Sequence, residues 1–195
     1  MSDLRSRWTF LREFISRPST VGAVSPSSIY LAEEMVSWVD WKTIRKVVEL
    51  GPGTGVFTEA ILRKAGPECR YLAVEISPGL AAIFRSRFPR LRLARESVSN
   101  LAEICAREGM SEVDLIVSGL PWASFPSKDQ IEYLDGVTAI LRQGGGFCTF
   151  AYLQGLLLGQ GRAFRRRLHD YFGQVAASRV VWKNVPPAFV YRCRR

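Results

Sequence analysis

The sequence predicts an α/β fold in which a seven-stranded, mostly parallel sheet carries helices on both faces. Two observations support this prediction. The β-branched run at 47–50 ends abruptly in the glycine-rich turn 51–55, and an amphipathic run follows at once. Short apolar runs then alternate with helical periodicity, a pattern typical of strands joined by crossover helices. With 195 residues, 47% of them hydrophobic, and no internal repeat, the chain suits one domain with an ample core.

The predicted elements divide this domain into three parts. Residues 1–17 hold an amphipathic helix, 18–40 form a cap segment whose helix starts after Ser27 or Ser28, and 41–195 form the core. Core strands are predicted at 47–50, 71–76, 91–95, 113–118, 147–152, 178–184 and 188–193, the last two forming an antiparallel pair. Core helices are predicted at 57–64, 77–87, 98–107, 128–141 and 162–172.

The first predicted helix, over 3–17, has one apolar face with arginines along its flanks. A short helix of this kind with large aromatic side chains is typical of an element that lies in a membrane interface. The same periodicity also suits a helix that packs its apolar face against the domain, so the pattern alone leaves both interpretations open. The membrane-binding candidates are Arg5, Trp8, Leu11, Arg12, Phe14 and Ile15.

Charge is distributed unevenly along the chain. The formal net charge is +9, and from residue 162 onward nine Lys or Arg stand against the single acid Asp170. Such asymmetry indicates a polyanionic partner, either nucleic acid or an anionic membrane surface; a basic face kept for solubility is the alternative.

Other features of composition limit the class of protein. The four cysteines are scattered and there is one histidine, so we expect neither a zinc site nor a disulfide framework, and a reducing compartment fits best. No stretch has the pattern of a spanning helix or a secretory signal, which predicts a soluble or peripheral protein.

The glycine turn is the first candidate site. Glycine accepts positive φ and lets a ligand approach the backbone, and Glu75 closes the next predicted strand, where an acid can hold both hydroxyls of a ribose. A dinucleotide site would prefer the spacing G-x-G-x-x-G, and a purely structural turn is a further alternative. The segment Glu49-Leu50-Gly51-Pro52-Gly53-Thr54-Gly55 instead resembles motif I of the Rossmann-like class I S-adenosylmethionine-dependent methyltransferases. That resemblance implies S-adenosylmethionine as cofactor, without a metal.

The same resemblance implies further contacts to the cofactor. In these enzymes an acid after the third strand, usually Asp, binds the adenine amino group, and Glu96 occupies that position here. The candidate cofactor-binding residues are Ser27, Glu49, Gly51, Gly53, Thr54, Gly55, Glu75, Ile76, Glu96, Ser97 and Ser118.

The turn after the fourth predicted strand is the second candidate site. Amine-modifying methyltransferases often carry Asn/Asp-x-Pro-aromatic there, which aims main-chain carbonyls and an aromatic face at the acceptor nitrogen. Gly119-Leu120-Pro121-Trp122 matches the Pro-aromatic half and lacks the Asn or Asp. Trp122 follows the carboxyl end of a strand, where ligands bind; the alternative is that its ring only packs. The candidate catalytic residues are Gly119, Leu120, Pro121, Trp122, Tyr30 and Tyr152, the two tyrosines as candidate proton acceptors.

Four motifs together resemble the bacterial phospholipid N-methyltransferases, small enzymes related to the ribosomal RNA adenine dimethylases. These motifs are Gly22-Ala23-Val24-Ser25-Pro26-Ser27-Ser28, the glycine motif at 49–56, Ser118-Gly119-Leu120-Pro121 and Phe125-Pro126. The resemblance implies successive methylation of phosphatidylethanolamine to phosphatidylcholine. It also implies a phospholipid substrate in anionic membranes and a cytoplasmic enzyme whose N-terminal helix binds the inner face of the cytoplasmic membrane. Neither a nucleic acid nor an obligate protein partner is expected.

Three alternatives remain beside this expectation. An ornithine-lipid N-methyltransferase would look almost identical. A ribosomal RNA adenine dimethylase would share the fold and a basic surface but would need an extra helical domain. A catalytically silent membrane-binding domain would not need the cofactor positions.

Overall fold

The computed structural model describes residues 27–157 and 159–195, which form six helices and a seven-stranded sheet. The strands are β1 Lys46–Leu50, β2 Arg70–Val74, β3 Arg92–Ala94, β4 Val113–Ser118, β5 Leu141–Tyr152, β6 Gln174–Ala177 and β7 Ala188–Arg194. The helices are α1 Ile29–Val36, α2 Val56–Lys64, α3 Pro78–Arg87, α4 Leu101–Arg107, α5 Ser127–Ile140 and α6 Gly159–Tyr171.

The sheet is mostly parallel, with the strand order β3-β2-β1-β4-β5-β7-β6. The first five strands pair in parallel, and β7 runs antiparallel to both β5 and β6. Strand order reverses direction between β1 and β4, and ligands of such sheets bind outside the carboxyl ends of the strands at that point. The predicted α/β fold with its seven-stranded sheet is confirmed. The predicted N-terminal helix and the membrane-binding candidates at 5–15 lie outside the described residues.

Serine caps begin two helices at this carboxyl edge. Ser28 Oγ accepts a hydrogen bond from the N–H of Leu31 (3.2 Å) before α1. Ser77 Oγ accepts one from the N–H of Leu80 (3.4 Å), and Pro78 is the first residue of α3. Each cap satisfies a backbone donor that the first helical turn leaves free, and the fixed φ of proline suits the first helical position.

Apolar side chains cover both faces of the sheet. One layer packs α1 and α2 against the sheet, and the other packs α4, α5 and α6 against the opposite face. Strand β1 contributes to both, because successive side chains point to opposite faces: Val47 joins the first layer, and Val48 and Leu50 join the second. Glu49 therefore points into the apolar layer beneath α2 and has no exposed surface.

The sixth strand lies earlier in the chain than predicted. Residues 178–184 belong to the connection from β6 to β7, apart from one isolated bridge between Val181 and Ala188. Strand β6 lies at the sheet edge and three of its four residues are exposed. An edge strand without a buried face has no apolar periodicity from which its position can be predicted.

Candidate active site

The glycine turn joins β1 to α2 at the carboxyl edge of the sheet, and its three glycines leave the backbone there without side chains. Gly51, Gly53 and Gly55 have positive φ angles of 65°, 56° and 89°. The positive φ favours glycine at Gly51, and a Cβ there would lie 2.6 Å from Leu120 Cδ2, so that the leucine side chain would have to shift. A Cβ on Gly53 would meet nothing within 4 Å, and Gly53 lines a cavity. A ligand can therefore reach the backbone at Gly53.

Glu75 follows β2 and faces the glycine turn. Its Oε2 accepts a hydrogen bond from the N–H of Gly53 (3.3 Å), and its Oε1 accepts one from the N–H of Ser77 (2.9 Å). Burial raises the pKa of Glu75, and these backbone hydrogen bonds oppose that shift. The side chain is 4% exposed and lines the cavity, so its carboxylate is oriented before any ligand arrives.

The cavity has a volume of about 220 Å³ and lies between the glycine turn, the end of β2 and the turn after β4. Beside Glu75 its walls are apolar side chains, among them Ile76, Leu80 and Val98. A carboxylate next to apolar walls suits a nucleoside, because the acid can accept hydrogen bonds from the ribose while the walls cover the base. Residues of the predicted acceptor turn and Phe150 also line the cavity.

Glu49 lies on β1 just before the glycine turn and is completely buried. Thr58 Oγ1 donates a hydrogen bond to Glu49 Oε2 (2.8 Å), and Tyr71 Oη donates to the same oxygen. Glu49 Oε1 has no hydrogen-bond partner in the described structure. Burial raises the pKa of Glu49 to about 7, although both hydrogen bonds lower it. Glu49 is not among the cavity-lining residues; it ties β1 to α2 and β2 directly below the glycine turn.

Comparison with known proteins identifies the family. A profile of the methyltransferase domain family matches residues 47–145, about half of the chain. An ornithine lipid N-methyltransferase from Singulisphaera acidiphila is 31% identical over 194 residues, which cover 98% of this chain and 97% of that protein. The chain is a class I S-adenosylmethionine-dependent methyltransferase.

Solved methyltransferase structures share this fold at low sequence identity. An O-methyltransferase from Bacillus cereus in complex with S-adenosylhomocysteine has a TM-score of 0.63 and 16% identity, with 96% of this chain and 90% of that chain covered. The O-methyltransferase TomG from Streptomyces achromogenes, in complex with S-adenosylmethionine, has a TM-score of 0.62 and 15% identity, with 96% and 89% covered. At these identities the likeness concerns the fold.

The cavity of this methyltransferase fits S-adenosylmethionine on its own geometry. Glu75 offers a fixed carboxylate for the ribose, Gly53 leaves the backbone open to the amino-acid part, and the apolar walls suit adenine. When bound, S-adenosylmethionine supplies an electrophilic methyl group carried on a sulfonium sulfur. In the part of the chain that the structure describes, no group of three or more His, Cys, Asp or Glu could hold a metal ion.

The structure brings most of the predicted cofactor residues together. Those that line the cavity are Ser27, Gly51, Gly53, Thr54, Glu75 and Ile76. Gly55 does not line the cavity; it packs against the ring of Phe88, which would lie 2.2 Å from a Cβ at this position.

Three other predicted cofactor residues do not line the cavity. Glu96 forms an ion pair with Arg107, since α4 places that arginine beside the end of β3. Ser97 Oγ accepts a hydrogen bond from the N–H of Ser99 (3.2 Å) and caps a short 3₁₀ turn. Ser118 is fully buried. The structure therefore does not bring Glu96, Ser97 and Ser118 to the cavity wall: Glu96 pairs with Arg107, and both serines hydrogen-bond within the protein.

Trp122 occupies a position different from the predicted one. The indole is 1% exposed, its Nε1 donates a hydrogen bond to Ser118 Oγ (2.9 Å), and its ring stacks on Phe164 at 5.2 Å. The rings that surround it edge-on are Phe125, Tyr133 and Phe147. Helix α6 supplies the stacking partner, and Ser118 supplies the acceptor that a buried indole N–H requires. The expectation that Trp122 faces the acceptor nitrogen is therefore corrected, and the packing alternative describes this side chain.

The remaining candidate catalytic residues separate into two groups. Gly119, Leu120 and Pro121 line the cavity, as expected of the turn after β4. Tyr30 and Tyr152 are not among the lining residues. Tyr30 is exposed, with Lys183 Nζ at 4.6 Å from its ring centre. Tyr152 packs edge-on against Phe150, and burial raises its pKa, which disfavours the phenolate. Neither tyrosine is placed as a proton acceptor in this geometry.

Several apolar residues of the cavity were missed by sequence reasoning. They are Val56, Phe57, Val74, Leu80, Val98 and Phe150. In the sequence these residues have the same apolar character as the core. Position at the carboxyl end of a strand was the one available signal, and it applies to Val74 and Phe150.

Proposed function

We propose that this methyltransferase transfers methyl groups from S-adenosylmethionine to the amino group of a membrane lipid, with an ornithine lipid as the first acceptor. The observation that carries the proposal is the relative named ornithine lipid N-methyltransferase, which aligns over nearly the whole of both chains at 31% identity. It favours the ornithine lipid over phosphatidylethanolamine, which the sequence motifs had suggested first. Phosphatidylethanolamine remains the second candidate, because both acceptors present a primary amine on an anchored lipid.

The reaction requires in-line geometry more than acid–base groups. The lone pair of the amine nitrogen forms a bond to the methyl carbon as the carbon–sulfur bond breaks, and that bond's electron pair stays on sulfur. Holding nitrogen and methyl carbon about 3–3.5 Å apart in line supplies much of the rate. In this proposal the turn Gly119-Leu120-Pro121 and Phe150 position the nitrogen, because they line the same cavity as the proposed donor contacts.

The amine must lose its proton before transfer. Since Tyr30 and Tyr152 do not line the cavity, we propose that the enzyme binds the neutral fraction of the amine. Phe150 then takes the role that was first expected of Trp122. As methyl groups accumulate the nitrogen becomes a fixed cation, and an aromatic face attracts it by about 0.5–2 kcal/mol.

We propose further that the enzyme works at the cytoplasmic face of an anionic membrane, to which it binds peripherally. No helix in 27–157 or 159–195 is long and apolar enough to cross a membrane. Helix α6 presents the exposed cations Arg162, Arg165 and Arg166, and each basic residue near an anionic leaflet contributes about 1 kcal/mol. Removing residues 1–17 tests the contribution of the N-terminal amphipathic segment: vesicle sedimentation should fall while affinity for S-adenosylhomocysteine stays unchanged.

One assay tests the acceptor class. Labelled methyl from S-adenosylmethionine is offered with ornithine-lipid vesicles, phosphatidylethanolamine vesicles and ribosomal RNA, and products are separated by mass. We expect label in the ornithine lipid. Label mainly in phosphatidylethanolamine would reverse the order of the two lipids, and label in RNA, or in none of the three, would contradict the proposed function.

A further inference from the structure

In the part of the chain that the structure describes, exposed large apolar side chains are concentrated on two segments. Seven large apolar side chains are exposed among the described residues, and four of them lie either on the β6–β7 connection at 178–187 or at the start of α1. The three most exposed are Val185 (74%), Trp182 (69%) and Ile29 (62%), and Tyr30 completes the set. We call these four side chains the apolar rim.

Two contacts between the segments hold the rim together. Asn184 is buried, and its Oδ1 accepts a hydrogen bond from the N–H of Ser28 (2.9 Å). Lys183 Nζ lies 4.6 Å from the centre of the Tyr30 ring, within the range of a cation–π interaction. The two segments therefore form one preorganised surface.

Strand topology places the rim beside the cavity. Strand β7 runs antiparallel to β5, and its first residue, Ala188, pairs with Tyr152, the last residue of β5. The connection that precedes Ala188 therefore lies at the carboxyl edge of the sheet, where the cavity is found. Ser27, which lines the cavity, immediately precedes Ser28 and α1.

We propose that the apolar rim is the surface through which the enzyme docks onto an anionic lipid bilayer, beside the cavity that takes the lipid head group. Tryptophan and tyrosine are preferred at membrane–water interfaces, and residues 178–187 include Arg179 and Lys183 but no acid. Protein-binding surfaces also use Trp and Tyr, but they are depleted in lysine at the centre. A lipid acceptor also explains why the rim adjoins the cavity, and in this respect the inference rests on the proposed function.

Substitution of Trp182 tests the docking surface. Binding to vesicles of phosphatidylglycerol and phosphatidylcholine is measured by sedimentation for the wild type, for Trp182→Ala and for Ile131→Ala, a control at an exposed apolar residue on α5. We expect Trp182→Ala to weaken binding at least about tenfold, because partial burial of an indole removes a large apolar area from water. The control should stay within about twofold of the wild type. Equal binding by both variants would overturn the proposal.

A short-chain, water-soluble lipid with the same head group separates docking from catalysis. We expect Trp182→Ala to methylate this lipid like the wild type and to lose turnover only on vesicles. If the wild type methylates neither form of lipid while Trp182→Ala still reduces vesicle binding, the proposed substrate is wrong and the docking surface stands. Equal loss on both forms of lipid, or weaker binding of S-adenosylhomocysteine, would assign Trp182 to the fold or the site and overturn the docking role.

Discussion

The indole nitrogen of Trp122 donates a hydrogen bond to the hydroxyl of Ser118 at 2.9 Å, and both side chains are buried. This hydrogen bond joins the two ends of the turn after β4, and Gly119 to Pro121 between them line the cavity. The tryptophan thus supports the cavity-lining turn 119–121 through packing.

We therefore predict that Trp122→Ala acts first on stability. Removing a buried indole should lower the free energy of unfolding by about 3–5 kcal/mol, which denaturant titration measures. Trp122→Phe should lose less, because a ring still stacks on Phe164. Turnover that falls with no loss of stability would restore the role at the acceptor nitrogen.

Glu75 and Glu96 form a matched pair of acids for testing the donor site. Glu75→Gln should weaken binding of S-adenosylhomocysteine about 10- to 100-fold, since hydrogen bonds to a charged group contribute about 1.5–3 kcal/mol each. Glu96→Gln should change it little, because Glu96 pairs with Arg107 and does not line the cavity. Calorimetry measures both affinities. A larger effect at Glu96 than at Glu75 would contradict the assignment.

The buried acid Glu49 predicts a dependence of stability on pH. Its folded pKa of about 7 lies above its ordinary value of 4.5. A raised folded pKa contributes stability that is fully present below about pH 4.5 and is lost as pH rises through about 7. Relative to Glu49→Gln, the wild type should lose up to about 3 kcal/mol of unfolding free energy between about pH 5 and pH 9. Parallel curves for the two proteins, in denaturant titrations across this range, would show that Glu49 does not titrate there.

Phe150 is the aromatic residue that we expect to face the acceptor. Phe150→Ala should lower kcat/KM for the lipid by about 2- to 30-fold, the range of a cation–π contact, with little change in cofactor affinity. Its effect should be largest on the last methyl transfer, whose product is a fixed cation, so mass spectrometry should find partly methylated lipid accumulating. Tyr152→Phe is the control and should behave like the wild type. If Tyr152→Phe loses more activity than Phe150→Ala, the tyrosine serves as proton acceptor after all.

The sequence allowed the donor half of the site to be predicted better than the acceptor half. The glycine turn and Glu75 are recognisable because their chemistry needs particular residue types at a fixed spacing. Trp122 was misassigned because its environment depends on Phe164, which lies on a helix far along the chain. The position of Glu96 away from the cavity wall could not be predicted, because its ion pair with Arg107 forms only in the folded structure. Leu80 and Val98 were missed since an apolar side chain looks the same in a core and in a cavity wall.

The proposed donor contacts and part of the proposed acceptor surface lie in different parts of the chain. Apart from Ser27, the cavity residues that we expect to contact the donor lie at the ends of β1 and β2 and after β3, within the family match at 47–145. The turn Gly119-Leu120-Pro121 lies there too, whereas Phe150 and the β6–β7 connection lie beyond residue 145. Substitutions after residue 145 can alter which amine is accepted while the nucleoside contacts stay intact. A shared methyl-donor site can in this way be combined with different acceptor surfaces built from the later part of the chain.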